Sequence, residues 1–512
     1  MTLTSVGYLL FFAAVAVCYY LVPKRAQNIV LLLSSLVFYS MGLPKSGALW
    51  LRLLPLLILA GSTVFTFGMG KIIAASAEKK RRIATAGSIL VCVLVLAVFK
   101  YYNFFVPSVL GFTSFAKLAL PLGISFYTFA SISYLVDVSR GDMPAADDFI
   151  AYAVFISFFA TITSGPICRA QKLLPQLASP RRFDENRTAD ALRLALFGFF
   201  KQIAIANVLG LYVNQIFEHL DKYTGFTLIF AAFLYAVQLY FEFAGYSDIA
   251  RASALLLGIE IPVNFKTPYF AMNFSSFWSR WHISLSTWLQ DYIFMPLVWG
   301  RWTSHLPLIG KKLTNPPMIS SVALVFILSG FWHGNTLPFV AWGCLQALYR
   351  VGEEMLHQWY KKPQKKPKLP LRICKTICVF ILWAESLVFF RIGLLPNGTL
   401  GDCFATLAKQ GQGLSFAAFL QDTIGAIQSG FYVKPFMVAG YCLFILIVLS
   451  IGFYTDWLQC FRLKDKHISL RVAAMKPAAR WAVYYGITGL IFAAFIMQSG
   501  GFGTVSFAYA NF

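Results

Sequence analysis

Apolar residues run in long blocks that recur from one end of the chain to the other. The blocks fall at 4–22, 28–45, 50–72, 85–103, 117–136, 148–165, 189–212, 224–245, 318–330, 336–350, 371–390, 436–455 and 480–498. Most approach the ~20 residues that an α-helix needs to cross the hydrocarbon of a bilayer. The pattern predicts an all-α polytopic membrane protein. The first block ends before Lys24 and Arg25 and runs through CYYLV with no small-residue cleavage site. It reads as a retained transmembrane helix rather than a removed signal peptide.

The polar links between blocks are short, the longest being 137–147, 172–188, 301–316 and 357–370, and none could build a soluble core. One membrane domain over 1–512 is expected, with a motif-rich core at about 117–350 and C-terminal helices at about 371–512. The lysine- and proline-rich link 357–370 separates the two. Residues 393–434, with glycines and KQGQGLS, read as an outward-facing loop with short interfacial helices. The regular pattern breaks most sharply between 259 and 317, where Pro262, Pro268 and Pro296 cut the chain into short pieces. Bent backbone at membrane depth must lie against protein or a watery cavity, so short re-entrant helices are expected here. An amphipathic surface helix is the alternative.

Composition removes the soluble alternative. The chain is 58% hydrophobic and 12% charged, against about 25% charged for soluble domains. That is too little charge to cover a soluble surface of this size. The net charge of +22 resides in short links such as EKKRR from Glu78 and KKPQKKPK from Lys361. Such links face the cytoplasm and anionic lipid; with no nucleic-acid motif present, membrane lipids and not nucleic acid are the expected partners. The nine cysteines are scattered, and Cys374 with Cys378 form the nearest pair. No metal site is expected from them.

Against this background a few polar residues stand out. Of the six histidines, His219, His305, His357 and His467 sit in links or at their edges, whereas His333 in SGFWHG joins two apolar spans. An ionisable group at such a place is a functional candidate by default. In a dry cavity beside Phe331 and Trp332 its neutral imidazole is favoured, and that form can take a proton from an attacking hydroxyl. Gly330 and Gly334 would permit close approach of backbone or substrate. The second candidate is His282 in FWSRWHISLSTWLQDYIFM, with Trp278, Arg280, Trp281, Ser284 and Asp291 around it. Were this stretch helical, Trp278 and His282 would share a face and frame a polar passage; an arginine snorkelling to headgroups is the structural alternative. The third cluster, QLYFEFAGYSDIAR, places Gln238, Tyr240, Glu242, Tyr246, Asp248 and Arg251 in an apolar region. It reads as a structural polar network, with Asp248 and Arg251 spaced to pair. Glu385 and Arg391 raise the same question on weaker grounds.

Together, QLYFEFAGYSDIA, IPVNFKTPYFAMNFSSFWSRWHISLSTWLQDYIFMPL and SGFWHG resemble the membrane-bound O-acyltransferase family, in particular its bacterial polysaccharide-acetylating branch. PLGISFYTFASISYLVDV, SGPICRA and LFGFFKQIAIAN extend the likeness upstream. The resemblance implies a ring of transmembrane helices around a thin central cavity. It implies that His333 is the catalytic histidine and that His282 lies on the cytoplasmic side of a conduit. Trp278, Arg280, Trp281, Ser284, Asp291, Trp332 and Asn335 would line the donor tunnel or substrate site. Acetyl-CoA would be the donor, with no permanently bound cofactor and no metal. An extracytoplasmic SGNH-like acetyltransferase would carry the group to a polysaccharide such as alginate, peptidoglycan or cellulose, placing the chain in the bacterial inner membrane. D-alanyl transfer of the teichoic-acid type and a non-catalytic acyl conduit are the competing readings.

Overall fold

The apolar blocks become helices wherever proline and glycine permit. The structure, a computed structural model, describes residues 2–44, 48–108, 120–299, 316–359, 368–431, 434 and 437–499. Among the described residues the regular structure is helical throughout, with no strand. Among the described residues seven helices are long and apolar enough to cross a membrane, and Val6–Leu21 and Met318–His333 are shorter apolar helices. The chain is a polytopic membrane protein.

The helices gather into two compact units, Met1–Ala195 with Tyr246–Val263, and Leu196–Gly245 with Asn264–Asn511. The first holds α1 (Val6–Leu21), α2 (Gln27–Ser40), α3 (Leu49–Ala75), α4 (Glu78–Ser108), α5 (Ile124–Arg140), α6 (Phe149–Ser157), α7 (Ala170–Ala178) and most of α8 (Glu185–Phe199). Its core is built from aromatic rings, several of whose polar tips find partners, because an orphaned hydroxyl in an apolar interior is costly. Tyr8 donates to Ser253 Oγ at 2.8 Å, Tyr19 to the Leu257 carbonyl at 3.0 Å, and Tyr152 to Thr66 Oγ1 at 2.8 Å. The expected span 148–165 is helical only to Ser157 and then turns. Gly165 is folded back so tightly that a Cβ there would lie 2.6 Å from the Ala160 carbonyl oxygen, a path a continuous helix cannot follow.

The second unit carries α9 (Val208–Phe217), most of α10 (Gly225–Leu256), α11 (Phe274–Trp278), α12 (Ile283–Leu289), α13 (Met295–Trp299), α14 (Pro316–His333), α15 (Leu337–Trp359), α16 (Leu369–Gly393), α17 (Leu400–Gln410), α18 (Phe416–Phe431), α19 (Val438–Phe461), α20 (Ile468–Ala473) and α21 (Pro477–Ser499). A π-helical stretch, Phe200–Asn207, joins α8 to α9. Gly245 lets α10 cross it closely, since a Cβ would sit 2.8 Å from the Gly198 carbonyl oxygen. Region 393–434 contains the two amphipathic helices α17 and α18. The first is started by a capping box in which Thr399 and Asp402 satisfy each other's backbone amides.

Candidate active site

Two close packings build the site, both inside the second unit. α14 and α15 form an antiparallel pair that touches at glycine. A Cβ on Gly330 would lie 2.5 Å from the Phe339 carbonyl oxygen and 2.8 Å from Gly343 Cα. Bare backbone is therefore required, and what approaches Gly330 is the next helix. His333, the last residue of α14, is 5% exposed. Its ring is boxed by Trp332, Trp342 and Phe390, with centroids 4.6, 5.1 and 5.1 Å away.

The second packing carries His282. Asn273 caps α11 by accepting the Ser276 amide at 2.8 Å, and α11 then stops at Trp278. The helix across 278–282 considered from the sequence does not form. Instead His282 takes a left-handed backbone, φ 42° and ψ 53°, and α12 begins after it. Aromatic packing explains the break, because the turn drives Trp281 into a cluster with Phe265, Phe277 and Trp383 at 5.1, 5.6 and 4.9 Å. His282 is 1% exposed, with Phe243 edge-on at 4.7 Å. Among the described residues neither of its ring nitrogens has a hydrogen-bond partner. It lies outside the membrane-length helices, and burial pushes its pKa down from 6.5 to about 3. The ring is neutral at physiological pH.

Both histidines face one cavity of about 390 Å³, whose walls also include Trp278, Trp281, Trp342, Trp383 and Phe390. Ser275, Ser279, Ser286, Thr287, Gln290, Ser329 and Arg350 supply its polar lining. Arg350 is partly neutralised by Glu353, which it meets at 3.1 Å. A mostly apolar cleft with a few convergent polar groups suits a small organic ligand.

The other residues singled out from the sequence are placed differently. Arg280, Ser284, Asp291, Trp332 and Asn335 are not among the described lining residues. Arg280 is engaged by Asp465 at 3.2 Å and by the Lys266 carbonyl at 3.1 Å. Ser284 is buried in α12, Asp291 is exposed, the Trp332 ring meets that of His333 edge-on, and Asn335 sits in the turn after α14. None of Gln238, Tyr240, Glu242, Tyr246, Asp248 and Arg251 lines the cavity either; from α10 only Leu239 does so among the described residues. Tyr240 donates to Asp456 Oδ2 at 2.6 Å, Tyr246 bonds Thr163, and Asp248 pairs with Arg251 at 3.2 Å. Gln238 and Glu242 are buried in α10. Arg391 bonds Asn214 at 2.8 Å. The sequence offered no sign of Trp342, Trp383 and Phe390, which look like any aromatic in an apolar helix. Arg350 lies at the edge of an apolar block, and Asn264 was hidden among prolines.

Comparison with known proteins then decides the class. Residues 145–384 match the sequence profile described as MBOAT, membrane-bound O-acyltransferase family. The probable alginate O-acetylase AlgI of Pseudomonas aeruginosa is 35% identical over 73% of this chain and 68% of its own length. The chain belongs to the membrane-bound O-acyltransferase family. The peptidoglycan O-acetyltransferase of Helicobacter pylori is 32% identical over 73% of each chain. The teichoic acid D-alanyltransferase of Bacillus subtilis is 30% identical over 47% of this chain and 60% of its own. As a membrane-bound O-acyltransferase the chain is an enzyme, and the matched region contains both cavity histidines.

Proposed function

We propose that this membrane-bound O-acyltransferase resides in the bacterial cytoplasmic membrane and takes an acetyl group from acetyl-CoA on the inner side. It hands the group to an acceptor hydroxyl on the outer side, for O-acetylation of a polysaccharide such as alginate, peptidoglycan or cellulose. An extracytoplasmic SGNH-like protein would complete the delivery. The observation that carries this reading is the shared cavity, which brings His333 and His282 to one mostly apolar space of about 390 Å³. Relatives that are O-acetylases support the choice of acyl group.

In the reaction, a neutral His333 nitrogen takes the proton of the acceptor hydroxyl as its oxygen bonds to the thioester carbonyl carbon. Collapse of the tetrahedral intermediate breaks the C–S bond and expels the thiolate, which takes the proton back from the imidazolium. Trp342 and Phe390 hold the ring in place and exclude water that would hydrolyse the thioester. His282, neutral and without a hydrogen-bond partner among the described residues, offers one donor and one acceptor to the donor substrate. A D-alanyl thioester is the second reading, favoured by the likeness to the Bacillus subtilis protein.

The test is transfer of label from acetyl-CoA in proteoliposomes to a short glycan or the outer partner. Replacing His333 by Ala is expected to lower the rate by at least about 100-fold at equal folded protein, the usual weight of a positioned base. Undiminished transfer in His333→Ala would remove His333 from the chemistry. Transfer from a carrier-linked D-alanyl thioester but not from acetyl-CoA would select the second reading.

A further inference from the structure

We infer that Asn264 is a positioning residue that sets the His282 ring in the cavity by capping α12 in its place. The start of a helix leaves backbone amides without partners, and the side chain at the cap position ordinarily accepts one of them. His282 occupies that position before α12 and makes no side-chain cap bond. Asn264, from the proline-rich segment before α11, accepts both amides that follow it. Its carbonyl oxygen takes the Ile283 N–H at 2.9 Å and its Oδ1 takes the Ser284 N–H at 3.1 Å. Two residues before His282, the Lys266 N–H donates to the Arg280 carbonyl at 3.0 Å. The left-handed His282 backbone, φ 42°, is thus held between two fixed attachments, as a non-glycine residue in that region requires. Asn264 is 1% exposed, so water cannot substitute for it. Because Asn264 does the capping, the imidazole is released from the helix end and can face the cavity.

The inference rests on reading His282 as part of the reacting site. The test compares acetyl-CoA-dependent transfer in Asn264→Leu, Asn264→Asp, His282→Ala and the combined Asn264→Leu/His282→Ala protein, each at equal folded amount. Leucine keeps the volume and removes the acceptor; aspartate keeps an acceptor at Oδ1. Asn264→Leu is expected to lose about 100-fold in rate, the cost of misplacing a site group by about 1 Å, and Asn264→Asp to recover most of that loss. In the His282→Ala background the leucine substitution is expected to add no further loss, since it acts through His282. Should Asn264→Leu not accumulate as folded protein, Asn264→Ala carries the same expectation. Full activity in folded Asn264→Leu, an equal loss in Asn264→Asp, or an additive loss in the combined protein would each overturn the inference. Full activity in His282→Ala would instead overturn the reading of His282 itself.

Discussion

His282 and His333 are both buried and both face the same cavity, yet they are reached by different routes. His333 ends a helix whose apolar run points to it directly. His282 is turned inward by a left-handed backbone, uncommon for any residue but glycine although histidine tolerates it better than most. The burial of His282 has a consequence for pH. Its folded pKa near 3 lies below its ordinary 6.5, so between those values the unfolded chain takes up a proton that the folded chain refuses. Stability from this group is fully present above about pH 6.5 and is lost as pH falls toward 3. Thermal unfolding of the detergent-solubilised enzyme from pH 7.5 to 4.5 should therefore fall more steeply for wild type than for His282→Gln, which cannot titrate. Parallel curves would show that the ring is hydrated. A histidine legible as a candidate from its neighbours was thus not legible as neutral, because that depends on what buries it.

At the scale of elements, the α14–α15 pair is the structure on which His333 depends. Its closeness is set by Gly330 and Gly343, each of which would collide with the other helix if it carried a Cβ. Gly330→Ala should destabilise the enzyme by roughly 1–3 kcal/mol through forced separation of the helices. It should also slow transfer by moving the His333 ring relative to Trp342 and Phe390. Gly352→Ala in the same α15 is the control, since nothing lies within 4 Å of its added Cβ; helix propensity alone predicts a gain of up to about 1 kcal/mol. Melting temperatures of the two variants should move in opposite directions. Sequence reading identified Gly330 as a point of close approach, but what approaches is a second helix, and sequence pattern carries no information on that. It also weighed a helix that would set Trp278 and His282 on one face, and tertiary packing of Trp281 divides that stretch into α11 and α12.

For the whole molecule, the C-terminal helices contribute to the second unit that contains the site. Buried Asp456 of α19 accepts from Tyr240 of α10 at 2.6 Å, and the Tyr240 ring lies 6.3 Å from Trp281. Removing the hydroxyl leaves a buried carboxylate with one donor fewer, a loss of about 1–3 kcal/mol. Tyr240→Phe should lower the unfolding temperature and weaken transfer together, whereas Thr455→Ala, beside Asp456 but bonded among the described residues only to the local Gly452 carbonyl, should change either little. Equal behaviour of the two variants would separate α19 from the site. The sequence by itself determined the solvent, the helical class and the family, and singled out the two histidines as candidates, because each is written in local composition, hydropathy or contiguous motif. Only the tertiary structure decided that Arg280 and Asp291 are not among the described lining residues of the cavity while Trp342, Trp383, Phe390 and Arg350 are, and that Asn264 holds His282. Those facts depend on which helices meet and how closely, and residues far apart in the chain acquire them only when apolar burial and glycine contacts bring the helices together.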